Sequence, residues 1–274
     1  MLRRCSLPAA LRPRGSVSVV QEEFVANQNY QPTLGERCLG ELVGTFLLVF
    51  VGGGVAADVA LLHRNAHGAS IPTADLLLVA LAHGLVLFVI VMITGRISGA
   101  HVNPAITLGL ASIGHFKWSD VPGYLIAQLV GCILGALAIM IPFGRDIATV
   151  GLLGRPELAA NTNLIAGLLA EGLGAAILVI TVVALAADRR APAGWAGLGI
   201  GMALTAAIMI VGPATGAAVN PARAFGPDIV SIFFGAPAVD WVAFIVCYLI
   251  GPILGGIGAA WLYARMARLP RPSK

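Results

Sequence analysis

Residues 91–105 read VMITGRISGAHVNPA and residues 208–222 read IMIVGPATGAAVNPA, agreeing at nine of fifteen positions at an offset of 117. Two further matches keep the same order: ELVGTFLLVF at 41–50 pairs with EGLGAAILVI at 171–180, and YLIAQLVGCILGA at 124–136 pairs with YLIGPILGGIGAA at 248–260. The chain is therefore a duplication whose halves meet near 145–165. What the duplication dictates depends on how many times each half crosses a membrane.

Composition decides that the chain does cross one. Apolar residues make up 58% of the chain and charged residues 11%, against roughly 25% charged in soluble domains. Charge-free runs occupy Leu42–Ala57, Leu76–Gly95, Val121–Gly144, Gly172–Ala187, Ala191–Ala222 and Trp241–Ala264. A spanning helix needs roughly 17–25 mostly apolar residues, and all six runs reach that length, the two shortest by including a flanking Glu or Asp. Backbone groups in hydrocarbon must be satisfied internally, so the runs read as helices. A soluble α/β protein with buried hydrophobic segments is the competing reading and fits this composition poorly.

Three spans per half force the second copy to enter from the opposite face. The halves are inverted about an axis in the membrane plane. Six spans put both termini on one side. Arg3, Arg4, Arg12, Arg14, Arg37, Arg96, Lys117, Arg189, Arg190, Arg265, Arg268, Arg271 and Lys274 share it, leaving Arg64, Arg145, Arg155 and Arg223 opposite. The positive-inside rule then makes both termini cytoplasmic, in the plasma (inner) membrane. This distribution accounts for the net charge of +4 without a nucleic-acid partner. Residues 1–35 read as a disordered cytoplasmic tail without a cleavable signal, and 265–274 as a basic cytoplasmic tail. The channel domain is 36–264, with repeat one at about 36–144 and repeat two at about 164–264. Cys5, Cys38, Cys132 and Cys247 are scattered, so no metal site, disulfide or cofactor is expected.

Each copy carries Asn-Pro-Ala after a Gly-rich stretch: Gly99, Ala100, His101 and Val102 before Asn103, and Gly216, Ala217, Ala218 and Val219 before Asn220. Asn is a natural N-cap, and Pro suits the first helical turn. The apolar residues that follow, Ala105–Ser112 and Ala222–Phe225, allow only short re-entrant half-helices. Inversion makes their positive ends face each other at the bilayer centre. The residues before them are expected to be extended, turning carbonyls toward a lumen. Arg223 interrupts an apolar run directly after the second motif, which marks it as functional. Glu41 and Glu171 are repeat-related and need donors, which the amides before each motif can supply. Gln128 reads as polar packing between helices.

SGAHVNPAIT at 98–107, NPARAFGP at 220–227, GELVGTFLLVF at 40–50 and AQLVGCILGA at 127–136 together resemble the aquaporin and glycerol-facilitator family of major intrinsic proteins. The resemblance covers about 36–264. It implies an all-α membrane protein of six tilted helices, two half-helices, one pore per subunit and usually a homotetramer in lipid. It also implies that Asn103 and Asn220 form the pore centre, that residues 99–101 and 216–218 offer carbonyls, and that Glu41 and Glu171 brace those loops, with His101 at the cytoplasmic mouth. The family's outer constriction maps onto His83, Ile208, Ala217 and Arg223. This set matches neither the water-selective pattern nor the glycerol-selective one. Ala224 stands where glycerol channels carry Asp, and the connection from Pro227 to Asp240 is short.

The expected function is passive conduction of water and small uncharged solutes, with no catalytic residue, no energy source and protons excluded. A glycerol, ammonia or neutral-metalloid channel is the near alternative. A secondary transporter also uses inverted repeats, but only His83 and Arg223 interrupt the pore region. A junction protein would not need both asparagines and the arginine.

Overall fold

The computed structural model of the 274-residue chain describes residues 31–63 and 73–270. The tail expected at 1–35 therefore lies outside the description up to residue 30, as do Arg64, Arg271 and Lys274. In chain order the principal helices are α1 (Leu34–Leu62), α2 (Ala74–Ser98), the short α3 (Pro104–Ser112), α4 (Val121–Phe143), α5 (Leu164–Ala187), α6 (Ala196–Thr215), the short α7 (Pro221–Ile232) and α8 (Trp241–Met266), with single turns at Asp146–Thr149 and Leu152–Gly154 in the linker. The six long ones are each long and apolar enough to cross a bilayer, and no strand occurs among the described residues. The helical region begins at Leu34 and ends at Met266, two residues beyond 36 and 264 on either side.

Packing follows the duplication. In the first half α1 lies against α4, in the second α5 lies against α8, and α2 against α6 joins the halves. At that junction Gly84 and Gly201, again 117 apart, meet backbone to backbone. A Cβ on Gly84 would sit 2.6 Å from the Gly201 carbonyl oxygen, and one on Gly201 would strike the Gly84 oxygen. Small residues let membrane helices approach this closely. Thr205 strengthens the crossing by donating across it to the Ala80 carbonyl at 3.3 Å.

Polarity is arranged in reverse of a soluble domain. Ile141, Ile210, Leu173 and Ile126 on the spans are 63–84% exposed. Such a surface is a liability in water but a fit for hydrocarbon. Glu41, Glu171, Asn103, Asn220, His83 and Arg223 are instead buried.

The helix ends flanking the motifs are built twice in the same way. Gly99 (φ 87°) terminates α2 and Gly216 (φ 73°) terminates α6, each in the left-handed region open to glycine. The Gly99 N–H donates to the Gly95 carbonyl at 3.1 Å, and Gly216 to Gly212 at 2.8 Å. Pro104 and Pro221 then open α3 and α7. The second short helix corrects the expectation of a stop at Phe225. It runs twelve residues, through Pro227 to Ile232, with Asp228 and Ser231 buried where an apolar run was required.

Three π-helical stretches interrupt the long helices, at Leu48–Gly53, Val183–Ala187 and Phe244–Ile250. Nothing in the apolar runs announces them. Such insertions shift side-chain phase by one residue and recur at functional sites.

Candidate pore

Asn103 and Asn220 are N-caps with extended backbone, at φ −155° and −153°. The Asn103 Oδ1 accepts from the Ala105 N–H at 2.8 Å. The Asn220 Oδ1 accepts from Ala222 at 3.0 Å and Arg223 at 3.3 Å. Each oxygen is thus turned into its own helix, and each amide nitrogen reaches the other half. Asn103 Nδ2 donates to the Val219 carbonyl at 2.9 Å, and Asn220 Nδ2 to the Val102 carbonyl at 2.8 Å. The two short helices are therefore cross-tied N-terminus to N-terminus. An amide nitrogen has two hydrogens, so one N–H per asparagine is left without a partner among the described residues.

The segments before the asparagines are not extended, which corrects the expectation. Gly99, Ala100 and Val102 have positive φ, as do Gly216, Ala217 and Val219. Left-handed backbone at four non-glycine residues costs about 1–3 kcal/mol each and must be held from outside. Two buried carboxylates hold it. Glu41 accepts from the His101 N–H at 2.9 Å and the Val102 N–H at 2.6 Å. Glu171 accepts from Ala218 at 2.9 Å and Val219 at 2.6 Å. The third donor differs between halves. Gln128 Nε2 supplies it to Glu41 at 2.8 Å, and the Thr215 hydroxyl to Glu171 at 2.5 Å. Gln128, expected only to pack, thus belongs to the brace and also donates to Thr107 at 3.0 Å.

Two tyrosines complete the frame. The Tyr124 hydroxyl donates to the Ser98 carbonyl at 2.6 Å, and Tyr248 to the Thr215 carbonyl at 2.8 Å. Their repeat match, Tyr124 with Tyr248, was the available signal. His101 sits 3.2 Å from the Thr107 hydroxyl through Nδ1, with its ring against Phe116 and Tyr124. The linker between halves contributes as well. Ala159 donates to the Ala214 carbonyl at 3.0 Å, and a Cβ on Gly216 would meet Pro156 at 2.9 Å, so this segment backs the second loop.

A narrow cavity follows the axis between the halves. His83, His101, Asn103, Asn220 and Arg223 are its polar lining, and Leu48, Leu87, Ile106, Leu178 and Leu204 are among its apolar lining. Its volume of ≈ 10 Å³ is about one water's worth. Among the described residues no carboxylate lines it. A wider cavity of ≈ 540 Å³ on the side of the termini shares His101 and includes Gly99, Ala100, Arg96 and His115.

Arg223 donates through Nε to His83 Nε2 at 3.4 Å, and its Nη1 is buried with no partner among the described residues. His83 Nδ1 lies 2.8 Å from the Val79 carbonyl. The ring rests on Gly52, where a Cβ would come within 2.7 Å of its Cγ and Nε2. Gly52, inside the π-helical stretch of α1, is a site residue that sequence reasoning missed, as it missed the bracing roles of Gln128, Tyr124 and Tyr248. Ile208 and Ala217 are both 2% exposed. They lie together beside Gly212, within 4.0 Å of a Cβ built there, and are not on the wall of the narrow cavity.

A family model described as major intrinsic protein matches residues 29–263. A probable aquaporin AqpM of Archaeoglobus fulgidus is 38% identical over 245 residues, covering 86% of this chain and 98% of the relative. A probable glycerol uptake facilitator protein of Thermotoga maritima is 35% identical over 233 residues, covering 82% and 97%. The fold is similar to the X-ray structure of the aquaglyceroporin from Plasmodium falciparum, with a TM-score of 0.73, 24% identity and 86% and 97% coverage.

Proposed function

The chain belongs to the major intrinsic protein family, and on that premise we propose that it is a passive channel for water and small uncharged solutes in which Asn103 and Asn220 are the pore centre. The observation that carries the reading is the reciprocal tie between the two asparagines and the opposing loops, which leaves one N–H on each for the lumen. A molecule at the centre accepts from those donors and points its own hydrogens away. A proton wire through it is thereby interrupted. Two helix N-termini and Arg223 add positive potential, and among the described residues no carboxylate on the wall offsets it. Neutral solutes exchange hydration for carbonyls and amide donors at little net cost.

Selectivity is assigned to His83 and Arg223 on the wall, with Ile208 and Ala217 shaping the adjoining loop and helix. The free Nη1 of Arg223 is the donor offered to a solute hydroxyl or carbonyl. A second reading, broader passage of glycerol, ammonia or a neutral metalloid hydroxide, is favoured by a cavity lining that carries no Phe, Tyr or Trp among the described residues. The channel domain is assigned to 36–264, with cytoplasmic tails at 1–35 and 265–274. The plasma (inner) membrane, surrounding lipid and a homotetramer complete the proposal. The exposed apolar faces of the spans and the basic bias toward the termini support these assignments.

Reconstituted vesicles under sucrose, glycerol and urea gradients test the function by stopped-flow light scattering. Osmotic shrinkage faster than that of bare lipid with a low activation energy is expected. A rate equal to that of lipid, or saturating ion-dependent flux, would refute a channel. An unchanged glycerol-to-water ratio in His83→Phe would remove His83 from the filter.

A further inference from the structure

A cavity of ≈ 270 Å³ lies on the face opposite the termini, between the linker joining the halves, α7 and the start of α8. None of its lining residues lines the narrow axial cavity. Its wall carries three carboxylates, Asp228, Glu157 and Asp240, and one cation, Arg155. Arg155 is already engaged. Its Nε and Nη2 donate to Glu157 Oε1 at 3.2 and 2.7 Å, and its Nη1 donates to the Pro237 carbonyl at 2.9 Å. Asp240 is exposed and caps α8, accepting from Val242 and Ala243 at 3.0 and 2.9 Å.

Asp228 is placed differently. It is 3% exposed, and among the described residues no donor or cation is bonded to its carboxylate. Its oxygens open onto the cavity, so the donors or cation that a carboxylate in so buried a residue needs must come from what occupies that cavity. Arg155 is paired with Glu157, and the Arg155 and Arg223 guanidiniums act on Asp228 only through space, so among the described residues no cation is bonded to its carboxylate. Tyr248 presents an aromatic ring on the same wall, and Leu158, Val239 and Ala243 provide apolar surface.

We propose that this side pocket binds a small protonated amine, whose N–H groups donate to the Asp228 carboxylate and whose short alkyl part lies along Tyr248, Leu158 and Val239. A hard divalent ion fits less well. Such ions take six or more oxygen ligands, and among the described residues no three His, Cys, Asp or Glu are grouped to hold a metal. The volume falls below the ≈ 300–1,000 Å³ of sites for drug-sized ligands, so the occupant is small. The pocket also backs onto the second loop, because Tyr248 donates to Thr215 and the linker packs on Gly216.

Isothermal titration of the full-length protein in lipid nanodiscs with n-propylammonium chloride tests this without measuring transport, so failure of the channel reading and failure of this one are separable. Saturable binding is expected, weakened about tenfold or more in Asp228→Asn, the range for a lost charge-assisted hydrogen bond. Asp240→Asn should bind within about threefold of the parent, as expected for an exposed charge. Tetramethylammonium, which has the charge but no N–H donor, should bind at least about tenfold more weakly to the parent itself, which keeps the proposal testable if Asp228→Asn misfolds. No saturation by propylammonium, equal affinity for the two ammonium ions, unchanged affinity in folded Asp228→Asn, or binding of calcium chloride in preference to the amine would each overturn it.

Discussion

Arg223 reaches across from α7 to donate its Nε–H to His83 Nε2 on α2 at 3.4 Å. A guanidinium has no acceptor, so His83 Nε2 must carry its lone pair and Nδ1 the proton, which is given to the Val79 carbonyl at 2.8 Å. The histidine is thus neutral and in one tautomer. Its position depends on Gly52, which leaves room for the ring.

That dependence predicts a coupled pair of variants. Gly52→Ala should push the ring toward Arg223 and lower solute flux several-fold, with less effect on expression. Adding His83→Ala to Gly52→Ala should restore flux, because the clash disappears with the ring. Stopped-flow rates for the two singles and the double form a mutant cycle. Additive effects would show that Gly52 acts elsewhere.

Glu41 and Glu171 hold equivalent backbone turns, and replacing either by Gln should be costly. The amide keeps one acceptor oxygen but aims donors at donors. At least one buried N–H among His101, Val102, Ala218 and Val219 then loses its partner, at about 1–3 kcal/mol. Thermal unfolding in detergent should show a lower Tm for both variants together with reduced water flux. Thr215→Val, which removes the third donor to Glu171, should lower Tm by less than Glu171→Gln.

Asn220→Asp should damage both the tie and the ion barrier. Aspartate cannot donate to the Val102 carbonyl, which now accepts at 2.8 Å, and it places a negative charge where the wall has none. Proton or sodium leak into vesicles, read by an entrapped pH dye or by conductance, should rise above that of the parent. Asn103→Asp should behave alike, since the tie is reciprocal. A leak confined to one of the two would contradict the equivalence of the halves.

Acid should loosen the face of the termini. Hydrogen bonds from Arg190, at 2.6 and 2.9 Å, hold the Asp188 carboxyl well below the usual carboxylate range. Asp120 is raised by burial, but bonds from Arg37 and Ser119 outweigh this and leave it lowered. A carboxylate depressed in the folded state stabilises above its unfolded value of about 4 and loses that contribution as pH falls through the folded value. Asp188→Asn should therefore lower Tm at neutral pH, and the gap from the parent should shrink steadily below about pH 4. A gap independent of pH would mean that the ion pair is not its source.

Much of this protein was legible in its sequence because membrane insertion and duplication leave one-dimensional traces. A bilayer demands long uncharged runs, so six spans could be counted. A repeat at an offset of 117 with an odd span count dictates inversion, and Asn before Pro at the start of an apolar run is a helix cap by local chemistry. Glu41, Glu171 and Arg223 stood out because charge inside an apolar run is expensive. Tertiary structure alone decided how these parts touch. The tie from Asn103 to Val219, the different third donors Gln128 and Thr215, and the seat of His83 on Gly52 are contacts through space between segments far apart in the chain. No local pattern records them. The left-handed turns at Ala100, Val102, Ala217 and Val219 belong with these contacts, because residues that would avoid such backbone alone adopt it only when buried carboxylates hold their amides in place.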